Sequence, residues 1–233
     1  LHRKKIPCGG KKTICFIFFI YGDQVSNLSA ELALQRLKAG NARYVKGVTI
    51  AVSSSFPERR KRLANEGQRP FACILACTDS RGPVELVFDQ GLGDLFVARV
   101  GGNIVAPSIV GSMELAALSF GTELCVVMGH SLCGAILASL DQEMGVQSPL
   151  PHSENLEMIL KRIRPIVQNL KPVGQKQERL AFAETVAKEN ARGAAAQVYA
   201  LSPILSKLRD EGRFRIVAAH YDLNTGIVEF FEP

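Results

Sequence analysis

The sequence predicts an α/β fold: a central, mostly parallel β-sheet flanked by helices, with an antiparallel edge strand and an N-terminal helical arm. Three observations carry this prediction. Four apolar runs, Phe71–Ala76, Leu95–Ala98, Leu124–Met128 and Phe214–Ala219, are short and continuous rather than alternating, the pattern of strands covered on both faces. Helical patterning separates the second run from the third and the third from the fourth. A fifth run, Ile227–Phe231, follows the turn Asn224-Thr225-Gly226, which makes it the antiparallel edge strand.

The elements follow in order. Residues 1–27 read as an extension and residues 28–233 as one domain. Within the extension, residues 13–21 are apolar and follow the basic residues His2-Arg3-Lys4-Lys5 and Lys11-Lys12, the arrangement of a signal peptide, yet no small-x-small cleavage site follows. A signal remnant, a translated extension and a hydrophobic arm all remain open. The expected address is cytoplasmic, or periplasmic if this segment is a signal. No stretch reaches the roughly 20 apolar residues that span a bilayer.

From Ser29, an N-cap candidate, apolar Leu32, Leu34 and Leu37 predict an amphipathic helix that stops at Gly40 and is suited to clasping a partner. A charged helix is predicted over 56–66, ended by Gly67. Further helices are predicted over 108–120, 154–170 and 178–200, with Lys171-Pro172-Val173-Gly174 breaking the last two apart.

Composition narrows the function. The chain is 47% apolar, which opposes wholesale disorder. Its net charge of +6 clusters near the amino end, with no Trp and no stacking aromatics interleaved, so it describes a solvated basic tail and helix face rather than a nucleic-acid surface. Six cysteines in a chain of 233 residues do not form a disulfide framework. Cys73 and Cys125 fall inside strand runs, whereas Cys77 and Cys133 lie just beyond them.

Ligands bind outside the carboxyl ends of parallel strands. Cys77 follows the first strand, and His130 and Cys133 follow the third. If a helix begins at His130, its i,i+3 spacing puts imidazole and thiol on one face. Two thiolates and one imidazole suit zinc and leave a fourth position for water. A capping histidine beside an inert cysteine is the competing interpretation. Cys77-Thr78-Asp79-Ser80-Arg81 adds a carboxylate and a guanidinium that can pair bidentately, or else an Asp-capped helix start.

The pattern Cys-x-Asp-Ser-Arg followed downstream by His-x-x-Cys-Gly resembles the signature of β-class carbonic anhydrases of the bacterial, open-site type. The likeness runs from about Leu28 to Phe231. It includes Gly67-Gln68-Arg69-Pro70, the segment 85–103, and the stretch from Arg215 to Gly226. It implies zinc held by Cys77, His130 and Cys133, with Asp79 and Arg81 as a catalytic dyad and Asp79 a fourth ligand only in a closed state. It further implies that Gln68, Phe96 and the Gly134 backbone bind substrate, and that the chain is a homodimer or tetramer with its pocket at the dimer interface. The implied reaction is reversible hydration of carbon dioxide to bicarbonate and a proton, by attack of zinc-bound hydroxide. Two thiolates should leave that water less acidic than three histidines would. Alternatives are a COS or CS2 hydrolase on the same scaffold and a non-catalytic zinc-stabilised binding protein. His152, His220 and Tyr221 are proton-shuttle candidates by chemistry alone. Gly82 departs from the family, which carries a β-branched residue there. Regulation by bicarbonate at a side site uses a Trp, which this chain lacks.

Overall fold

The computed structural model describes residues 28–50, 56–146, 153–170 and 176–232, with residues 176–178 described as backbone only. The extension 1–27, the break at 171–174 and His152 lie outside the described residues. Helices α1 (Ala30–Val45) and α2 (Phe56–Glu66) precede β1 (Ala72–Ala76), the short α3 (Val84–Val87) and β2 (Leu95–Arg99). A single 3-10 turn, Gly101–Asn103, leads to α4 (Pro107–Phe120), β3 (Leu124–His130) and α5 (Gly134–Glu143). Then come α6 (Glu154–Leu170), α7 (Lys176–Leu201), α8 (Pro203–Asp210), β4 (Arg215–Tyr221) and β5 (Val228–Phe231). Among the described residues, no helix is long and apolar enough to cross a membrane.

The strands form one sheet in the order β2-β1-β3-β4-β5, parallel except for β5. The continuous apolar runs follow from this arrangement, because side chains of a strand alternate between two faces that are both covered. Ile74, Ala76, Val126 and Met128 pack against α1 and α3 on one face. Cys73, Leu75, Cys125 and Val127 pack with residues of α4, α7 and α8 on the other. A third cluster joins Ile136 and Leu140 of α5, Ile163 and Val167 of α6, and Val186 and Ala187 of α7 to Cys77 and Cys133.

One expectation about α1 needs correction. The helix does not stop at Gly40 but runs to Val45, capped by the Ser29 side chain on the Leu32 amide. A Cβ at Gly40 would lie 1.8 Å from the Phe88 carbonyl, so the glycine permits close approach to α3 instead of ending the helix. Glycine inside a helix costs roughly 0.5–1 kcal/mol, while each buried leucine returns about 1.5–3 kcal/mol. Leu34 and Leu37 are both buried here, so burial wins. The same burial places Ala33, Leu34 and Leu37 in the chain's own core, while Leu32 on the same helix stays exposed.

β1 has β2 on one side and β3 on the other, so the connections leaving β1 and β3 depart to different parts of the sheet. A crevice opens at the carboxyl ends of strands where their order reverses in this way. Cys77 and His130 stand at these two ends.

Candidate metal centre

The cluster is assembled from two chain segments, the end of β1 and the turn from β3 into α5. Cys77 is the first residue beyond β1. His130 is the last residue of β3, and Cys133 is the N-cap of α5, so the helix begins only after both ligands. The i,i+3 helical pairing is therefore not what unites them. A two-residue turn, Ser131-Leu132, does so instead, with Leu132 at φ +54 in the left-handed region.

The ligand atoms of Cys77, His130 and Cys133 all lie within 4.8 Å of one another, and the two sulfurs are 3.9 Å apart. All three side chains are buried. In the tautomer that donates from Nδ1, His130 bonds to the Ser131 carbonyl at 2.9 Å and turns its Nε2 lone pair toward the sulfurs. That Nε2 is buried and has no hydrogen-bond partner. An orphaned buried nitrogen costs free energy unless something uses it.

The thiols point to a cation as well. The contact with Cys133, followed by the nearness of the His130 ring, brings the Cys77 thiol down to about 3 against the opposing effect of burial. Cys133 is pushed up by Cys77 and by burial, while the Ile136 and Ala135 amides of α5 favour its thiolate. Two buried sulfurs sharing one proton is what this geometry gives by itself. A divalent cation lets both be thiolates, and sulfur and imidazole are the donors zinc prefers.

Asp79 and Arg81 flank this cluster. Arg81 Nε and Nη2 bond to Asp79 Oδ1 and Oδ2 at 2.9 and 2.7 Å, and the Arg81 amide donates to Oδ1 at 3.0 Å. Arg81 Nη2 also reaches the Leu132 carbonyl at 3.2 Å, tying the dyad to the turn between His130 and Cys133. The Arg81 hydrogen bonds hold the Asp79 carboxyl well below the usual carboxylate range. Asp79 Oδ2 lies 4.0 Å from His130 Nε2. The helix that follows starts at Val84 after Pro83, so Asp79 does not cap it.

The other predicted residues are placed differently. Gly134 opens α5, directly after Cys133, with free space where a side chain would stand. Gln68 lies before β1, so about 16 Å of strand separates it from the end that carries Cys77. Phe96 is opposite Cys73 in the register and stacks on Phe120 with ring centroids 5.5 Å apart. Neither is brought to the cluster of its own chain. Gly82 is buried with ordinary backbone geometry, and a Cβ there would rest 3.7 Å from the Tyr221 ring. Tyr221 hydrogen-bonds Tyr44 at 3.1 Å, and burial with that bond pushes its phenol up. Burial, then Lys188 and His130, holds the His220 imidazole down to about 4. Neither side chain titrates near neutral pH, where a shuttle works best.

Sequence reasoning missed the support for the loop. The Gly102 amide donates to Cys77 Sγ at 3.3 Å, and Arg99 bonds to the Cys77 and Asp79 carbonyls. The continuation of β2 into Arg99-Val100-Gly101-Gly102 was the only trace of it. A groove of about 540 Å³ lies between α1, α2 and residues 89–94 and includes none of these residues. Its Asp89 and Asp94 already pair with Arg43, Arg36 and Arg59.

Comparison with known proteins agrees with this geometry. A family model described as carbonic anhydrase matches residues 72–228. A carbonic anhydrase of Mycolicibacterium smegmatis is 33% identical over 203 residues, covering 87% of this chain and 94% of that protein. Carbonic anhydrase 2 of Mycobacterium tuberculosis is 32% identical over 200 residues, covering 86% and 92%. Among solved structures, a tetrameric β-carbonic anhydrase of Sordaria macrospora superposes with a TM-score of 0.64 at 22% identity, covering 86% of this chain and 94% of that one. A β-carbonic anhydrase of Aspergillus fumigatus gives 0.65 at 21% identity, covering 87% and 92%. At these identities the two structures speak for the fold alone.

Proposed function

The chain belongs to the β-carbonic anhydrase family, and on that premise we propose how its residues carry out the reaction. The activity is the zinc-dependent, reversible hydration of carbon dioxide to bicarbonate and a proton. The observation that carries the reading is the convergence of Cys77, His130 and Cys133 within 4.8 Å beside a carboxylate clamped by Arg81.

Cys77, His130 and Cys133 hold the metal. When bound, zinc supplies Lewis acidity, which in the three-histidine carbonic anhydrase site brings the pKa of a ligated water to about 7. Asp79 is the acceptor that would orient the attacking oxygen, and Arg81 keeps both Asp79 oxygens occupied, which favours the open form of the site. Gly134, the first residue of α5, presents its backbone N–H where negative charge develops on the product.

We read the working unit as a homodimer. Gln68 and Phe96 lie away from the cluster of their own chain, and β2 is an edge of the sheet. A second copy meeting that edge would bring these two residues to its neighbour's site, Phe96 as an apolar wall and Gln68 as a donor to carbon dioxide. The tetrameric Sordaria structure supports self-association in this fold. The domain extends over residues 28–233.

Metal analysis combined with stopped-flow carbon dioxide hydration tests the reading. One zinc per chain and a zinc-dependent rate are expected, with loss of most activity in Asp79→Ala. No zinc-dependent hydration, or hydrolysis of COS at a higher rate than hydration of carbon dioxide, would refute it. Sedimentation as a 25.3 kDa monomer would refute the dimer.

A further inference from the structure

Arg99 ends β2, and its register partner is Ala76, the last residue of β1. The strand pairing thus stops just where the site loop begins. Beyond it, the Cys77–Arg81 loop has no sheet partner to fix its backbone, although it carries one metal ligand and the dyad.

Four contacts from the end of β2 take over. The Val100 amide donates to the Ala76 carbonyl at 3.1 Å. Arg99 Nε donates to the Cys77 carbonyl at 2.8 Å, and Arg99 Nη2 donates to the Asp79 carbonyl at 2.6 Å. The Gly102 amide donates to Cys77 Sγ at 3.3 Å. One planar guanidinium therefore brackets the three residues Cys77-Thr78-Asp79 from their backbone side. Arg81 grips the Asp79 carboxylate independently from the other side.

We infer that Arg99 is a positioning residue of the active site: its fork, which joins the Cys77 and Asp79 carbonyls, sets the distance between the metal ligand and the oriented carboxylate. The inference rests on the reading of Cys77 and Asp79 as site residues. Arg99 touches no reacting atom. Its role depends on the fixed spacing of guanidinium nitrogens, which a lysine ammonium, a single point donor, does not reproduce. Conservation of charge alone is then insufficient. Gly102 belongs to the same support: it has φ +65, where a side chain is strained, and a Cβ there would meet Ile163 Cδ1 at 2.7 Å, so glycine lets the amide reach the sulfur without strain.

The test compares wild type, Arg99→Lys and Arg99→Gln as full chains, each loaded with zinc and, separately, with cobalt(II). The thiolate-to-cobalt charge-transfer and d–d bands report the geometry of the metal site without turnover. Both variants are expected to bind metal, to show shifted cobalt bands, and to lose about 10–100-fold in kcat per bound metal, the usual cost of removing support from a metal site. KM should change much less than kcat. A solely structural role predicts a lower Tm with wild-type cobalt bands and wild-type kcat per bound metal, and that result overturns the inference. Failure of both variants to fold also overturns it, by assigning Arg99 to the fold. Wild type serves as the separate check: if it binds no metal or shows no hydration, the functional reading has failed rather than the role of Arg99.

Discussion

Arg81→Ala separates the direction of the Asp79 carboxylate from its charge. The Arg81 side chain supplies two of the bonds on that carboxylate, at 2.9 and 2.7 Å, and the substitution keeps the third, from the Arg81 amide at 3.0 Å. Without the guanidinium, Asp79 returns toward the ordinary aspartate value of about 3.9 and is still ionised at neutral pH. No proton is gained, so the loss comes from a carboxylate that can turn. Groups that orient others at a metal site are worth about 10–100-fold, and kcat/KM for hydration should fall by that factor. The ratio of wild type to variant should stay level from about pH 6.5 to about 9, because the carboxylate does not titrate there. Zinc content should be unchanged, since Arg81 contacts no ligand side chain. Stopped-flow hydration across that range, normalised to bound zinc, makes the measurement. A variant that recovers wild-type activity as pH rises would show that Arg81 acts through charge, and the reasoning would be wrong.

Three further outcomes are expected. His220 is buried beneath Glu184 and Lys188 of α7, opposite Glu229 in the register and near Asp222 and His130, with a folded value of about 4 against about 6.5 when unfolded. Its neutral form therefore contributes stability that is complete above about pH 6.5 and is lost as pH falls toward 4, at most about 3 kcal/mol and less for the facing Glu184 carboxylate. Urea midpoints of wild type and His220→Gln measured along that interval should converge at low pH; parallel curves would count against it. Asn41→Ala should destabilise the chain by about 3 kcal/mol, because Asn41 bonds the Val87 and Gly226 carbonyls and the Val228 amide, tying α1 to α3 and β5. An unchanged denaturation midpoint would remove that role. Gly82→Ala should stabilise by about 0.4–1 kcal/mol, since the added methyl meets the Tyr221 ring at ordinary contact distance and the backbone is not left-handed; a lower Tm would contradict this.

Much of the fold and the ligand set was legible because both are local in character. A strand buried on two faces must be apolar throughout, so the runs at 71–76, 95–98, 124–128 and 214–219 marked the sheet. Residues with useful chemistry stood just past them. Cys77, Asp79 and Arg81 are neighbours in the chain, and their bidentate pairing needed only a short loop. What sequence alone left undecided depends on contacts between distant segments. Gly40 looked like a stop signal until α3 was seen to need the space beside it. His130 and Cys133 suggested a helix face because their spacing is ambiguous, and only the extension of β3 to His130 showed that a turn joins them. Strand order brings β1 beside both β2 and β3, so Arg99 can span the loop after β1 and the two ligand-bearing ends can meet. It also sets Gln68 and Phe96 apart from that meeting point. Sequence by itself thus determined which residues are candidates for binding and which strands bear them, because burial and chemistry are properties of single segments. The tertiary structure decided which segments stand side by side, and with that, what holds the ligands at their working distance.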